Sequence, residues 1–140
     1  MSPLDEQRIP LSRSQRNLYN GVLQDSDPAL YLIGKTYRFL PRELSGFLAA
    51  LRAAIQESPV QLCVLETSGT DYPDLVPRLR VNDIVRVRCE AQEHEARDGD
   101  DLKGSWTAGV LDKPLVRYTV WTDGTGQVSG LDVYTHHIVV

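Results

Sequence analysis

The chain has 140 residues and a formal net charge of −4, and 41% of its residues are apolar by a broad count. This composition suffices for one hydrophobic core, so we expect a single domain or part of one. The fifteen Lys and Arg residues are scattered, which argues against nucleic acid as the main partner because phosphate binding needs a concentrated basic patch.

The sequence carries no targeting or membrane-spanning signal. Its longest purely apolar runs are far shorter than a bilayer-spanning helix, and its start lacks the apolar core of a signal peptide. Cys63 and Cys89 form neither a Cys-x-x-Cys pair nor a disulfide framework, so we expect two buried free thiols. We therefore expect a cytoplasmic protein with no membrane partner.

Helix and strand patterns alternate along the first half of the chain. After an extended entry, Ser12 can cap a helix whose apolar residues follow at helical spacing. Pro41 opens a second helix with one apolar stripe, and Ser58-Pro59 ends it. In chain order, these signals predict a helix over 12–24, a strand over 30–40, a helix over 41–57 and a strand over 60–67.

Strand patterns dominate the second half. Residues 84–91 alternate apolar and charged side chains and predict a half-exposed strand, whereas the acidic run 92–101 predicts a surface loop with room for a helical turn. Residues 114–121 and 126–140 have strand patterns, and the Asp-Gly between them predicts a hairpin. The sum predicts an α+β fold, with a mostly antiparallel or mixed sheet and flanking helices.

Two adjacent histidines, His136 and His137, lie in the last predicted strand. Strand alternation would place them on opposite faces. His137 would share its face with Leu131, Val133, Thr135 and Val139, and His136 would share the other with Asp132, Tyr134 and Ile138. Adjacent strand histidines cannot easily bind one metal ion, so a metal site is not expected. Two interpretations stay open: core or edge histidines held by hydrogen bonds, or a general base at a strand end.

The histidine pair also belongs to a longer pattern. His-His-Ile-Val-Val resembles the start of the His-His-x-x-x-Asp-Gly motif of nonribosomal peptide synthetase condensation domains. Ser12, Gln15, Leu18 and Tyr19 match that family's opening Ser-x-x-Gln-x-x-(Leu/Met)-(Trp/Tyr) motif. Further along, the Leu/Ala-rich helix over 44–55 resembles the family's helix before its second motif. The segment that carries Asp112, Pro114, Leu115 and Arg117 resembles the family's approach to the histidine hairpin.

Two departures from the family pattern stand out. The family's second motif, Arg-His-Glu-x-Leu-Arg, is replaced by Ser-Pro-Val-Gln-Leu-Cys over 58–63, in which only Leu62 fits. The Asp and Gly that complete the histidine motif are absent because the sequence ends at Val140. We expect a divergent member, with residues 1–140 forming the incomplete N-terminal lobe of a condensation domain from a longer synthetase.

The resemblance implies a chloramphenicol-acetyltransferase-like fold of two lobes, with the active site in a tunnel between them. It implies an amide-forming reaction between an acyl or peptidyl donor and an aminoacyl acceptor. Both substrates would arrive on the phosphopantetheine of partner carrier domains, with no cofactor bound directly. His137 would deprotonate or orient the attacking amine or stabilise the tetrahedral intermediate, and His136 would be its more structural neighbour. Gln15 and Tyr19 would serve packing and lobe positioning, and Arg117 would be a structural ion-pair or surface residue.

Several alternatives remain at this stage. Other acyltransferases of the same superfamily carry His-x-x-x-Asp and use an alcohol acceptor or an acyl-coenzyme A donor. The degenerate 58–63 segment would also suit a non-catalytic member that only docks carrier domains. If Met1 is the natural start, the donor would come from another protein or from a coenzyme-A thioester. Without a C-terminal lobe, the 140 residues are expected to be inactive and to self-associate through exposed apolar surface.

Overall fold

The computed structural model describes residues 7–25, 27–93 and 96–139. Within them, helices and strands mostly follow the predicted order. The regular elements are β1 (Ile9–Pro10), α1 (Arg13–Gln24), β2 (Leu32–Arg42), α2 (Leu44–Gln56), β3 (Cys63–Glu66), β4 (Asp74–Pro77), α3 (Val81–Ile84), β5 (Val85–Cys89), α4 (Glu90–Glu93), α5 (Asp98–Ser105), β6 (Val116–Thr122) and β7 (Val128–His136). Short 3₁₀ turns cover Pro28–Tyr31, Pro59–Leu62 and His137–Val139.

The larger sheet has the strand order β2-β7-β6-β5, with β7 between β2 and β6. Both of these neighbours run antiparallel to β7, whereas β5 runs parallel to β6. A parallel pair needs a crossover rather than a tight turn, and the chain supplies one through α4 and α5. The mixed sheet with flanking helices confirms the predicted α+β fold.

The hairpin between β6 and β7 forms where the Asp-Gly signal predicts it. The Asp123 carboxylate accepts hydrogen bonds from the backbone amides of Thr125 and Gln127 at 2.8 and 3.1 Å. Gly126 has a φ of 83°, a conformation that glycine adopts without steric cost. The turn joins β6 to β7, which pair from Thr122 and Val128 to Val116 and Thr135.

A smaller sheet has the strand order β1-β4-β3, and Leu65 and Leu75 from this sheet pack in one core with Tyr19 of α1. Its strand β3 reaches the segment before β6, because the Asp112 amide donates to the Leu65 carbonyl at 2.8 Å. The main core packs side chains from α1, β3, β4, α5 and the segment before β6. Its buried members include Leu11, Tyr19, Leu65, Leu75, Leu102, Trp106, Leu115 and Ile138.

Several local predictions are wrong. Pro41 does not open the second helix: it lies in β2, and α2 begins at Leu44. The predicted surface loop over 92–101 includes residues 94 and 95, which lie outside the described residues. Its described part holds the end of α4 and the start of α5, and Asp98 is only 2% exposed because Arg88 and Thr119 bind its carboxylate. The strand predicted over 60–67 begins only at Cys63, after a 3₁₀ turn. Cys63 is a buried free thiol as predicted, but Cys89 is only half-buried. None of the described helices is long and apolar enough to cross a membrane.

Candidate functional site

The two histidines lie at the end of the central strand of the larger sheet. His136 is the last residue of β7, where it pairs with Leu32 of β2. Its backbone amide donates to the Leu115 carbonyl at 2.7 Å, so the family-like segment before β6 holds the end of the strand. His137 begins the 3₁₀ turn that follows.

The side chain of His136 is enclosed on several sides, with only 1% of the residue exposed. Its ring is nearly parallel to that of Tyr31, with centroids 5.6 Å apart, and the Trp106 ring meets it edge-on at 4.6 Å. Its Nδ1 accepts a hydrogen bond from the Ile138 amide at 3.0 Å. Because Nδ1 is the acceptor, the neutral ring carries its proton on Nε2.

The environment of His136 favours this neutral form. Burial, and to a lesser extent the neighbouring His137, lowers the pKa of His136 to about 4. Protonation of Nδ1 would also turn the acceptor for the Ile138 amide into a second donor. His136 is therefore a neutral hydrogen-bond acceptor at pH 7 and is poorly suited to exchange protons with a substrate.

His137 differs from its neighbour in exposure and in hydrogen bonding. It is exposed, and among the described residues no hydrogen bond to its ring is found. The predicted strand face with Leu131, Val133, Thr135 and Val139 is wrong beyond residue 136, because β7 ends there and residues 137–139 form a turn. The two side chains are nonetheless separated, one into the core and the other towards solvent.

The opening motif lies next to the histidine turn. Ser12 caps α1, since its Oγ accepts from the Gln15 amide at 3.2 Å and its own amide donates to Gln15 Oε1 at 2.8 Å. The other end of the same side chain reaches the turn, where Gln15 Nε2 donates to the Ile138 carbonyl at 2.8 Å. Tyr19, one turn further along α1, is 6% exposed and lies in the core.

The third family-like segment also supports the histidines. Trp106 Nε1 donates to the Pro114 carbonyl at 2.8 Å, which orients the indole that touches His136. Arg117 lies further from the pair, on β6 opposite Tyr134. Burial lowers the pKa of Arg117, and Arg86 adds to the effect; its buried Nε makes no hydrogen bond to any described residue.

A pocket of about 300 Å³ borders His136. Aromatic and aliphatic side chains from α1, the 3₁₀ turn before β2 and the segment after α5 line most of it. They include Tyr19, Val22, Tyr31, Trp106, Val110 and Leu111. Tyr31 and Trp106 are the neighbours of His136 that sequence reasoning missed, because nothing in their local patterns distinguishes them from ordinary core aromatics.

The residues present do not assemble a metal site in the part of the chain that the structure describes. No group of three or more His, Cys, Asp or Glu side chains there is placed to hold an ion. Asp98, in the acidic run, is instead bonded to Arg88 and Thr119.

Sequence comparison finds relatives among large synthases, although no protein-family model matches the chain. An isonitrile lipopeptide synthase of Mycobacterium marinum is 63% identical over 134 residues, which cover 94% of this chain and 10% of the synthase. An isonitrile lipopeptide synthase of Mycobacterium tuberculosis is 64% identical over 133 residues, covering 95% of this chain and 5% of that protein. The chain thus spans a tenth or less of these relatives.

Solved structures of condensation domains share the fold. The starter condensation domain of rhizomide synthetase superposes with a TM-score of 0.64 at 20% identity, over 94% of this chain and 33% of the other. The first condensation domain of the calcium-dependent antibiotic synthetase gives a TM-score of 0.64 at 18% identity, with the same coverage. The chain is therefore homologous to a part of the isonitrile lipopeptide synthases, and it shares the fold of about a third of a condensation domain.

Proposed function

We propose that this chain forms the N-terminal lobe of a condensation domain and that His137 is its catalytic histidine. The match to solved condensation domains runs along 94% of the chain and covers 33% of each domain, which supports the assignment to one lobe. The observation that carries the assignment of His137 is the difference in burial between the two histidines. His136 is buried and neutral, whereas His137 is exposed at the end of the central strand.

In the proposed reaction, the amine of an aminoacyl acceptor attacks the carbonyl carbon of a donor thioester. A C–N bond forms, the C–S bond breaks, and one proton must leave the attacking nitrogen while one must reach the departing thiolate. An imidazole can accept a proton at one ring nitrogen and later return it, so a single histidine can carry out both transfers. His137 takes the proton from the amine and returns it to the sulfur, and both substrates are held on phosphopantetheine arms of carrier domains.

A lipid-derived acyl thioester is the donor that we propose. Both relatives are named as lipopeptide synthases, and a peptide that carries a lipid needs a step in which a lipid acyl group is transferred to an amine. The condensation domains that share the fold include a starter domain in complex with C8-CoA. These findings support acylation of an amino acid by a fatty acyl group over transfer of a peptidyl donor.

The decisive experiment places His137→Ala in a complete condensation domain that carries these 140 residues. Product formation is followed by mass spectrometry, with an octanoyl thioester as donor and a glycyl carrier protein as acceptor. We expect loss of activity of about 100-fold or more, in the range that general acid–base catalysis supplies. Gln127→Ala is the matched control, since Gln127 is exposed at the opposite end of β7 and should leave the rate unchanged.

The same assay separates the alternatives. An unchanged product yield with His137→Ala would refute the catalytic role and favour a member that only docks carrier domains. If an alcohol acceptor were acylated and the amine were not, the domain would belong with the ester-forming acyltransferases. Transfer of a peptidyl donor in preference to the octanoyl group would overturn the proposed donor class while leaving the role of His137 intact.

A further inference from the structure

The Gln15 side chain joins the first helix to the turn that carries His137. Its Oε1 accepts the Ser12 amide at 2.8 Å, and its Nε2 donates to the Ile138 carbonyl at 2.8 Å. The two contacts link positions that are 123 residues apart in sequence. Both ends of the amide are therefore occupied, one in a helix cap and the other in a tertiary contact that no helix cap requires.

With this contact, both the amide and the carbonyl of Ile138 are hydrogen-bonded to side chains. The peptide between His137 and Ile138 is fixed through its N–H, which donates to His136 Nδ1 at 3.0 Å. The following peptide is fixed through the Ile138 carbonyl, which accepts from Gln15. The Ile138 side chain is 1% exposed and anchors the turn in the core. These contacts fix the backbone directly after His137 and, with it, the direction of the Cα–Cβ bond from which the ring projects.

His137 has no comparable anchor of its own. Its ring is exposed and receives no hydrogen bond from the described residues, so the backbone of the turn sets the region that the ring can reach. We infer that Gln15 is a positioning residue for His137, acting through the Ile138 carbonyl. The importance of this role for turnover rests on the proposed function, but the positioning itself is a structural statement that can be tested alone.

Gln15→Glu separates the two contacts of the side chain. Glutamate keeps an oxygen that accepts the Ser12 amide, and it is a favoured residue at this position of a capping box, so α1 should remain intact. It removes the N–H donor and places a carboxylate oxygen against the Ile138 carbonyl. Ser12→Ala is the matched control, because it removes the hydroxyl that caps α1 and leaves the amide of Gln15 free to bind Ile138.

The first measurement is NMR of the 140-residue chain. With Gln15→Glu we expect the Ile138 amide to exchange at least about tenfold faster and the His137 ring resonances to shift or broaden, since loss of a local hydrogen bond promotes local opening. Ser12→Ala should leave both signals as in the wild type. Unchanged exchange and unchanged His137 resonances in Gln15→Glu would overturn the inference, and so would equal changes in the two variants.

The second measurement is turnover in the complete condensation domain. Misplacement of a catalytic group lowers kcat by about 10- to 100-fold while KM changes little. We expect this split for Gln15→Glu and near wild-type values for Ser12→Ala. If Gln15→Glu shifts the His137 resonances while His137→Ala retains activity, the positioning stands and the proposed function fails. If His137→Ala is inactive while Gln15→Glu has wild-type kcat, the positioning role is refuted.

Discussion

The rings of His136 and Tyr31 stack nearly parallel, with an angle of 4° between their planes and their centroids 5.6 Å apart. Tyr31 is itself fixed, since its hydroxyl donates to the Asp25 carboxylate. That hydrogen bond raises the pKa of Tyr31 to about 12, so the stacking partner stays neutral at all physiological pH values. With the Trp106 edge on another side, His136 occupies a site in which a positive charge finds little solvation.

The first prediction concerns the pH dependence of stability. The pKa of His136 is about 4 in the folded chain, against about 6.5 for an unfolded histidine, so the unfolded state binds more protons between these values. The stabilisation is fully present above pH 6.5 and is lost as the pH falls towards 4. From the size of the pKa shift, titration of this residue lowers the free energy of unfolding by about 3 kcal/mol over this pH range. Urea denaturation between pH 7.5 and 4 measures the decline.

His136→Asn supplies the comparison for that measurement. The asparagine carbonyl can still accept the Ile138 amide, but the side chain does not titrate and fills less of the aromatic site. The variant should be less stable at pH 7 and should lose less stability than the wild type between pH 6.5 and 4. Equal slopes for the two proteins would show that His136 is not the group responsible.

Local patterns predicted the elements whose signals are local. The periodicity of α1 and α2, the Ser12 cap of α1 and the Asp-Gly hairpin needed no tertiary partner. The end of β7 depends on tertiary contacts. The β-branched pattern continues through Ile138 and Val139, but the Ile138 amide donates to His136 Nδ1 and the Ile138 carbonyl accepts from Gln15, so these backbone groups leave the strand pairing. The distinction between the two histidines came from the family resemblance, and the burial of His136 agrees with a structural role.

The start of α5 also depends on contacts that the local sequence pattern does not reveal. Asp98 lies in a run of charged residues that is typical of a solvated loop, yet it is buried. Its partners, Arg88 and Thr119, come from two neighbouring strands of the sheet. No pattern within residues 92–101 could reveal that a cation would meet this one carboxylate, so the burial could be found only from the structure.

The second prediction concerns two glycines of α5, Gly99 and Gly104, of which only Gly104 has room for a side chain. A Cβ on Gly99 would lie 2.7 Å from Cε1 of the Tyr134 ring, whereas a Cβ on Gly104 meets nothing within 4 Å. Gly99→Ala should destabilise the fold by about 1–3 kcal/mol through overpacking. Gly104→Ala should be neutral or stabilise it by up to about 1 kcal/mol, since alanine favours the helix. Chemical denaturation of the two variants measures the difference.

The contact with Tyr134 can be isolated by a double-mutant cycle. Tyr134→Leu removes the ring that the new methyl group would meet, so the cost of Gly99→Ala should shrink in that background. A Gly99→Ala variant as stable as Gly104→Ala would contradict the predicted clash.

The last prediction concerns the ion pair between Arg88 and Asp98, which are joined at 2.8 Å. Burial alone would raise the pKa of Asp98, but hydrogen bonds from Arg88 and Thr119 outweigh it and lower the pKa below its usual value. The stabilisation from this carboxylate is therefore present above about pH 4 and is lost at lower pH. Arg88→Met leaves the carboxylate buried without its cation and should cost about 3 kcal/mol.

The reason for that cost is the unpaired charge rather than the lost contact, and a double variant separates the two. In Arg88→Met combined with Asp98→Asn, no carboxylate is left buried without its Arg88 partner, so much of the stability lost in Arg88→Met should return. Arg52→Met is the matched control, because Arg52 makes an exposed hydrogen bond to Asn82 and its loss should change stability by less than about 0.5 kcal/mol. Denaturation curves that placed Arg88→Met beside Arg52→Met would show that the sheet holds Asp98 without needing its charge partner.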